Sequence, residues 1–247
     1  MNALLITGYW NSGTTLLVDL LRKHPQLQLT KGRFLPNLEE RSTRKWLSEG
    51  FIDLGPGYER ILAEGWAAHQ EPQLSAKELT RFRQKFGRTF WTFPGNTLLA
   101  KNPWWLFIPG LLRDAFEKDQ IRYLIVFREG IHQVVSKHYW EQGPFPPEEQ
   151  LRRRAEFWAK CIDYYEAHWH GREEVMTQDY RAICADPARY ISDICLHAGL
   201  DPAPLLPRLP AQLENRTGHW DRLDPALKSM VENIVGPAQE KLDNLLA

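Results

Sequence analysis

The sequence predicts a three-layer α/β fold, in which a mostly parallel central sheet is flanked by helices on both faces. Three features of the chain support this prediction. Short apolar runs typical of buried parallel strands alternate with amphipathic helical segments. The first apolar run passes through a glycine-containing turn directly into a helix. The chain has 247 residues, of which 43% are hydrophobic, and this suits a single domain over residues 1–247.

The N-terminal segment predicts a strand, a turn and a helix in that order. Residues 3–7 form an apolar run that ends at Gly8, as expected for a buried strand. Residues 14–22 then carry leucines at helical spacing. We expect this helix to end before Pro25, because the residue that precedes a proline is disfavoured in helical conformation.

The strongest strand signal lies in the middle of the chain. Residues 121–127, IRYLIVF, combine β-branched and aromatic side chains. A helical pattern follows this strand as far as Trp140. Residues 98–100 and 174–177 are shorter strand candidates, so that strands and helices alternate as in a parallel sheet.

Three further helices are predicted in the second half. Residues 146–171 form a long amphipathic helix that begins with prolines and acids and ends at a glycine. Its apolar face has spacings of three and four and consists of Leu151, Ala155, Trp158, Ile162, Tyr165 and Trp169. The other two helices each begin at an Asp-Pro pair, at residues 186–187 and 224–225.

The segment between the first two strands is harder to interpret. We predict a largely helical insertion over residues 34–97 on the substrate side, with Ser75 and Glu78 as the capping box of one helix. Several of the ten tryptophans lie in or next to its end, within residues 88–107. These aromatic residues are predicted to belong to the core, with an aromatic substrate wall as the alternative.

Composition and charge exclude several classes of protein. Lys+Arg and Asp+Glu both number 31, so a nucleic-acid binder driven by bulk positive charge is not expected. No stretch reaches the roughly 18–20 apolar residues of a membrane span, and the N-terminus lacks the features of a signal peptide. The three cysteines, Cys161, Cys184 and Cys195, have no CxxC spacing and are predicted to be reduced thiols. We therefore expect a cytoplasmic protein.

The turn after the first strand has the outline of a phosphate-binding loop. A helix start offers free backbone N–H groups and a favourable dipole to an anion. Gly8 and Gly13 allow close approach of the backbone, and Ser12, Thr14 and Thr15 add hydroxyl groups. The two glycines have Walker A spacing, but Thr14 stands where that motif has lysine, which disfavours a small-molecule or nucleotide kinase. A plain strand-to-helix turn remains the alternative interpretation.

The segment NSGTTLL, followed by HP, resembles the 5′-phosphosulfate loop of sulfotransferases that use 3′-phosphoadenosine 5′-phosphosulfate (PAPS). This resemblance implies a P-loop-type fold and binding of the 5′ end by Ser12, Gly13, Thr14 and Thr15. It also implies transfer of a sulfuryl group from PAPS to a hydroxyl or amine of a small-molecule, glycan or lipid-like acceptor. Adenosine 3′,5′-bisphosphate (PAP) is then the product, and no metal is needed.

Three more motifs of the family follow in the expected order. Arg128 ends the central strand and Ser136 lies eight residues on, as in the family's 3′-phosphate motif. An arginine offers a planar, permanently charged fork to a phosphate. Tyr180 takes the place of a tyrosine that lies near the adenine in relatives, with a core aromatic as the alternative. The run NRTGHWDRLDP resembles a late G-x-W segment over the nucleotide and implies that Gly218 and Arg216 contact the cofactor.

The catalytic groups show the largest departure from the family. Relatives usually carry lysine or arginine just before S-G-T-T, whereas this chain has Asn11, whose amide donates a hydrogen bond without charge. Lys101 resembles a family lysine that faces the sulfate, and we predict that it supplies the missing charge. Lys31 and Arg33 are other cations near the mouth of the site. The asparagine also leaves a non-catalytic PAP-binding relative as an alternative.

The sequence identifies neither a catalytic base nor a metal site. Glu39 and Glu40 are the acids nearest to the position where many relatives carry a base, but a solvated helix start explains them better. His168 and His170 are two residues apart on a helix. They therefore face different directions, and no metal site is predicted there.

Overall fold

The structure is a computed structural model that describes residues 3–29, 74–81, 97–115, 121–136, 145–215 and 219–247. Its strands are β1 (Ala3–Gly8), β2 (Leu27–Leu29), β3 (Thr97–Lys101), β4 (Ile121–Phe127) and β5 (Val175–Asp179). They form one sheet in the order β2-β3-β1-β4-β5, and every pair of neighbours is parallel. The predicted α/β fold with a parallel central sheet is confirmed.

Helices connect and cover these strands. They are α1 (Thr14–Leu21), α2 (Pro109–Ala115), α3 (Gly130–Val134), α4 (Pro147–His168), α5 (Tyr180–Ala185), α6 (Pro187–His197) and α7 (Pro225–Leu246). Most of the predicted insertion lies outside the described residues, but residues 76–81 are helical. The predicted capping box is present there, since Ser75 N donates to Glu78 Oε2 at 2.8 Å and Glu78 N donates to Ser75 Oγ at 3.4 Å.

The sheet is buried on both faces. Successive side chains of a strand point to opposite sides, so β1 places Leu5 in one core and Leu4 and Ile6 in the other. Helices α4 and α7 cover the first core, and α1, α5 and α6 cover the second. Trp105 and Phe107 are fully buried in the first core, which agrees with the core interpretation for this part of the aromatic segment.

Several elements were absent from the sequence prediction. Strand β2 has only three residues, too few for a periodic signal. Helix α5 begins at the residue after β5, where the Asp179 side chain accepts a hydrogen bond from Arg181 N and so caps the helix. Helix α7 begins at the predicted Asp-Pro pair and continues through Pro237 to Leu246.

The strand order places the predicted site residues at one edge of the sheet. Strand β1 lies between β3 and β4, and Ile6 is aligned with Lys101. Phe127 is aligned with Asp179, so the residues that follow them, Arg128 and Tyr180, leave the sheet side by side. Ligands of parallel α/β sheets bind outside the carboxyl ends of such strands. The loop after β1 therefore has Lys101 on one side and Arg128 on the other.

Candidate active site

The loop between β1 and α1 has a backbone that few residues can adopt. A Cβ atom on Gly8 would lie 2.2 Å from the Val126 carbonyl oxygen. Asn11 has a φ of 65°, a left-handed conformation that asparagine tolerates better than most residues. Gly13 has a φ of 90°, and a Cβ atom there would lie 2.2 Å from the Tyr180 ring. Neighbouring protein atoms therefore require both glycines, independently of any bound anion.

The hydroxyl groups of the loop differ in their partners. Ser12 is fully buried, yet its Oγ has no hydrogen-bond partner among the described residues. Thr14 is also buried at the first turn of α1. Thr15 is exposed, and its Oγ1 accepts a hydrogen bond from Lys101 Nζ at 2.8 Å.

Lys101 brings a positive charge to the loop from the neighbouring strand. Its side chain is only 2% exposed, although lysine is rarely buried in proteins. The hydrogen bond to Thr15 places its ammonium group at the start of α1. The structure thus brings together Lys101 and the loop, as the sequence predicted, and the cation comes from β3 instead of from the loop itself.

Arg128 stands on the other side of the loop. It is 8% exposed, and its Nε has no hydrogen-bond partner in the described parts of the chain. Burial lowers the pKa of its guanidinium from the ordinary value, but an arginine side chain remains charged in a protein. A charged group that is buried in this way indicates a site for an anion.

Ser136 lies near Arg128 in sequence and is buried at the end of the α3 segment. Its Oγ donates a hydrogen bond to the Gln133 carbonyl oxygen at 2.9 Å. A hydroxyl group has one proton to donate. Ser136 must therefore rotate its hydroxyl away from Gln133 before it donates to a phosphate.

Tyr180 joins the two sides of the site. Its ring occupies the space beside Gly13, and the Arg128 guanidinium carbon lies 5.7 Å from the ring centre. Its hydroxyl donates to the Glu214 carbonyl oxygen at 3.4 Å. Tyr180 thus contacts the loop, the arginine and the C-terminal segment at once.

Glu129, the residue after Arg128, has basic partners. Its carboxylate lies 3.7 Å from Arg181 Nη1 and 3.4 Å from His132 Nε2. Arg181 also pairs with Asp179 and Asp243. Burial lowers the pKa of His132, and the charge of Arg128 acts in the same direction. The negative charge of Glu129 is therefore paired with Arg181, and it favours the charged form of His132 against the effect of burial.

The remaining candidate residues lie outside the described residues or away from the loop. The two remaining cofactor candidates, Arg216 and Gly218, lie outside the described residues, as do Lys31, Arg33, Glu39 and Glu40. His168 packs against Tyr164 with ring centres 4.2 Å apart, and His170 Nδ1 lies 3.3 Å from the Tyr165 hydroxyl.

The described residues contain neither a metal-binding cluster nor a membrane-spanning helix. Within the described ranges, no group of three or more His, Cys, Asp or Glu is arranged to hold a metal ion. Helices in these ranges also lack the combined length and apolar character that crossing a bilayer requires.

Sequence reasoning did not single out Gln133. This fully buried residue donates from Nε2 to the Trp10 carbonyl oxygen in the loop, at 3.0 Å. A polar residue between apolar neighbours, in the stretch IHQVV, was the available signal. Its partner in the loop is 123 positions away and could not be inferred from spacing.

Comparison with known proteins agrees with this geometry. A sequence model described as the sulfotransferase family matches residues 3–204. No curated protein sequence gives a significant match. Among solved structures, the chain is similar to a sulfotransferase from Alicyclobacillus acidocaldarius, with 18% identity and a TM-score of 0.57 over 100% of this chain and 96% of that one.

Two further solved structures show the same fold. The sulfotransferase domain of the Synechococcus PCC 7002 olefin synthase has 17% identity and a TM-score of 0.56, over 98% of this chain and 94% of that one. A mouse sulfotransferase in complex with PAP has 13% identity and a TM-score of 0.58, over 99% of this chain and 86% of that one. Since the family model covers most of the chain, the protein belongs to the sulfotransferase family and is an enzyme of sulfuryl transfer.

Proposed function

We propose that the sulfuryl donor is PAPS and that the loop after β1, together with Lys101 and Arg128, binds it. The observation that carries this proposal is the pair of buried polar atoms, Ser12 Oγ and Arg128 Nε, that have no partner among the described residues. Buried polar atoms are nearly always hydrogen-bonded. These two lie in segments that flank Tyr180, so a ligand with an anionic group at each end fits them.

The residues divide into two groups around this ligand. The backbone N–H groups at the start of α1, with Ser12, Thr14 and Thr15, bind the 5′-phosphosulfate. Arg128, with Ser136 after rotation of its hydroxyl, binds the 3′-phosphate. PAPS supplies the sulfuryl group and a bisphosphate leaving group. Tyr180, Gly218 and Arg216 complete the cofactor site in our proposal.

Lys101 is the proposed catalytic cation. Sulfuryl transfer resembles phosphoryl transfer, in which attack is in line and negative charge develops on the leaving oxygen. An ammonium group held at the helix start stabilises that charge where it develops. Because Lys101 supplies this cation, no metal ion is part of the proposed mechanism.

Asn11 is the second proposed catalytic residue, as a hydrogen-bond donor at the place where relatives carry a cation. Asn11→Lys should keep the fold, at a cost of about 1–2 kcal/mol for a lysine in left-handed conformation. It should raise the single-turnover rate if Lys101 alone now stabilises the leaving group. Asn11→Ala is the control, since it removes the amide without adding charge. A slower Asn11→Lys variant would show that the amide itself is needed.

The acceptor is proposed to be a hydroxyl or amine on a small-molecule, glycan or lipid-like compound. The three cysteines are free and buried, which fits a reducing compartment, and we propose a cytoplasmic location. The surroundings of the acceptor fall largely on the segment 34–97, most of which lies outside the described residues. An acceptor screen with radiolabelled PAPS is therefore the direct route to the substrate.

Thermal unfolding with ligands tests the donor. PAP at about 100 times its dissociation constant should stabilise the fold by roughly 2.7 kcal/mol. ATP with magnesium should stabilise it much less, because Thr14 replaces the lysine that reaches a terminal phosphate. Equal stabilisation by both ligands would contradict the PAPS assignment.

A further inference from the structure

We propose that Gln133 is a positioning residue for the donor loop, because it fixes the peptide between Trp10 and Asn11. This inference rests on the proposed PAPS site. Gln133 lies in α3, between Arg128 and Ser136, and is fully buried. Nothing in its sequence position requires it to contact the loop after β1, yet it does so directly.

The orientation of the Gln133 amide is determined by its two partners. Its Nε2 donates to the Trp10 carbonyl oxygen at 3.0 Å, and its Oε1 accepts from the Trp158 indole Nε1 at 2.8 Å. A carbonyl oxygen accepts and an indole N–H donates. Exchanging the amide nitrogen and oxygen would therefore break both bonds, so the side chain has one orientation.

This contact sets the direction of a loop peptide. In a trans peptide the C=O and the following N–H point to opposite sides of the chain. The Trp10 C=O points towards Gln133 and Trp158, both of which are fully buried. The Asn11 N–H therefore points away from this interior. Asn11 is also the residue whose φ of 65° turns the chain towards Ser12 and Gly13.

Gln133 also links the loop to the 3′ side. Its own carbonyl oxygen accepts the hydrogen bond from Ser136 Oγ at 2.9 Å. Its side chain thus holds the loop between β1 and α1, while its backbone holds the serine of the 3′-phosphate motif. Before a ligand binds, this one residue therefore joins the loop and the Ser136 hydroxyl by hydrogen bonds, and its bond to Trp10 can persist when Ser136 turns to a phosphate.

A positioning role and a purely structural role predict different results. Loss of the Gln133 amide removes the constraint on the Trp10 carbonyl and so should affect only ligands that reach the loop. A structural role predicts a loss of stability and an equal effect on all ligands of the site. The matched control is Trp158→Phe, which removes the indole donor but keeps the bond between Gln133 and Trp10.

The experiment compares PAP with adenosine 3′-monophosphate, which lacks the 5′-phosphate. By calorimetry, Gln133→Met should bind PAP at least tenfold more weakly, with binding of adenosine 3′-monophosphate changed less than twofold. Trp158→Phe should lower the melting temperature and leave the ratio of the two affinities unchanged. The inference is overturned if Gln133→Met weakens the binding of both ligands equally. It is also overturned if Trp158→Phe changes the ratio of the two affinities as much as Gln133→Met does. A wild-type protein that binds no PAP overturns the proposed function and this inference with it.

If the Gln133→Met variant does not fold, the Gln133→Glu variant provides a second test of the inference. Burial favours the protonated form of a carboxyl group, and a protonated Glu at this position can donate to the Trp10 carbonyl oxygen while its other oxygen accepts from Trp158. At about pH 5.5, where burial keeps such a group protonated, this variant should restore the wild-type ratio of PAP to adenosine 3′-monophosphate affinity. A ratio that stays at least tenfold below the wild-type value at that pH overturns the inference.

Discussion

The two sides of the proposed donor site offer an anion different physical means of binding. On the loop side the donors are backbone N–H groups and hydroxyls at a helix start. The cation on this side, Lys101, lies on strand β3. On the other side, one buried arginine, Arg128, carries the charge. The loop side depends on backbone conformation, and the arginine side depends on the cost of burying a charge without its ligand. Substitutions on the two sides should therefore impair ligand binding in different ways.

Tyr180 shows that the two sides are not independent. Its ring leaves no room for a Cβ atom at Gly13 and lies beneath Arg128. A change at Gly13 is expected to move Tyr180 and, with it, the support of the arginine. Substitutions that leave the Tyr180 ring in place should therefore give the clearest difference between the two sides.

The largest expected effect is that of Gly13→Val. The new side chain would clash with the Tyr180 ring, where a Cβ atom alone lies at 2.2 Å, and the φ of 90° disfavours a branched residue. Binding of PAP should be lost, as measured by calorimetry. Gly171→Val is the matched control, because Gly171 also has a positive φ, 71°, but nothing within 4 Å of its Cβ position. Equal loss of binding in both variants would show that backbone strain alone is responsible.

Lys101→Met should have the next largest effect, mainly on turnover. Methionine keeps the buried stem and removes the charge that stabilises the leaving group in our proposal. Losing one such group costs about 2.7–4 kcal/mol of transition-state stabilisation, which single-turnover transfer from PAPS would measure. The affinity for PAP should fall much less. Lys241→Met, which breaks a surface pair with Asp163, is the control and should leave the rate unchanged.

If Lys101→Met has the wild-type rate, the catalytic charge comes from another residue. Lys31 and Arg33 were the other cations suggested by the sequence, and the same substitution at each would identify the source. A parallel loss of rate and PAP affinity would instead assign Lys101 to ground-state binding.

Arg128→Ala should reduce affinity in a ligand-dependent way. A hydrogen bond to a charged group contributes about 1.5–3 kcal/mol, and this should be lost for PAP. Adenosine 5′-monophosphate, which has no 3′-phosphate, should bind almost as well as it does to the wild-type protein. Arg122→Ala changes an arginine within β4, six positions before Arg128, and should alter neither affinity. Equal losses for the two ligands would remove Arg128 from the 3′ site.

The sequence predicted the loop side better than the connections between the sides. Strands β1 and β4 and the Asp-Pro helix starts have strong local signals, and the structure confirms them. The contacts of Gly13 with Tyr180 and of Gln133 with Trp10 join residues more than 120 positions apart. Periodicity and caps report only on neighbours within a few turns. Such long-range contacts follow from the register of parallel strands, which a single sequence does not reveal.

The smallest expected effect is a pH dependence that belongs to the arginine side. Burial lowers the pKa of His132 below its ordinary value of about 6.5. The groups that act on it are Glu129 and Asp221, which favour the charged imidazole, and Arg128 and Arg181, which oppose it. Because the folded pKa is below the unfolded one, the unfolded state binds more protons as the pH falls below about 6.5. This histidine therefore contributes to a loss of stability on acidification.

Denaturant unfolding at about pH 5.5 and 7.5, on either side of the unfolded pKa, measures this contribution. His132→Gln should reduce the pH dependence of the free energy of unfolding, because it removes the group whose pKa burial lowers. Glu129→Gln should increase it, because a charge that favours the imidazolium is removed. PAP should also flatten the pH dependence, since a 3′-phosphate beside Arg128 favours protonation of His132. Adenosine 5′-monophosphate should leave the pH dependence unchanged, because it leaves the arginine side empty. An equal effect of both ligands would place the bound charge at the loop alone.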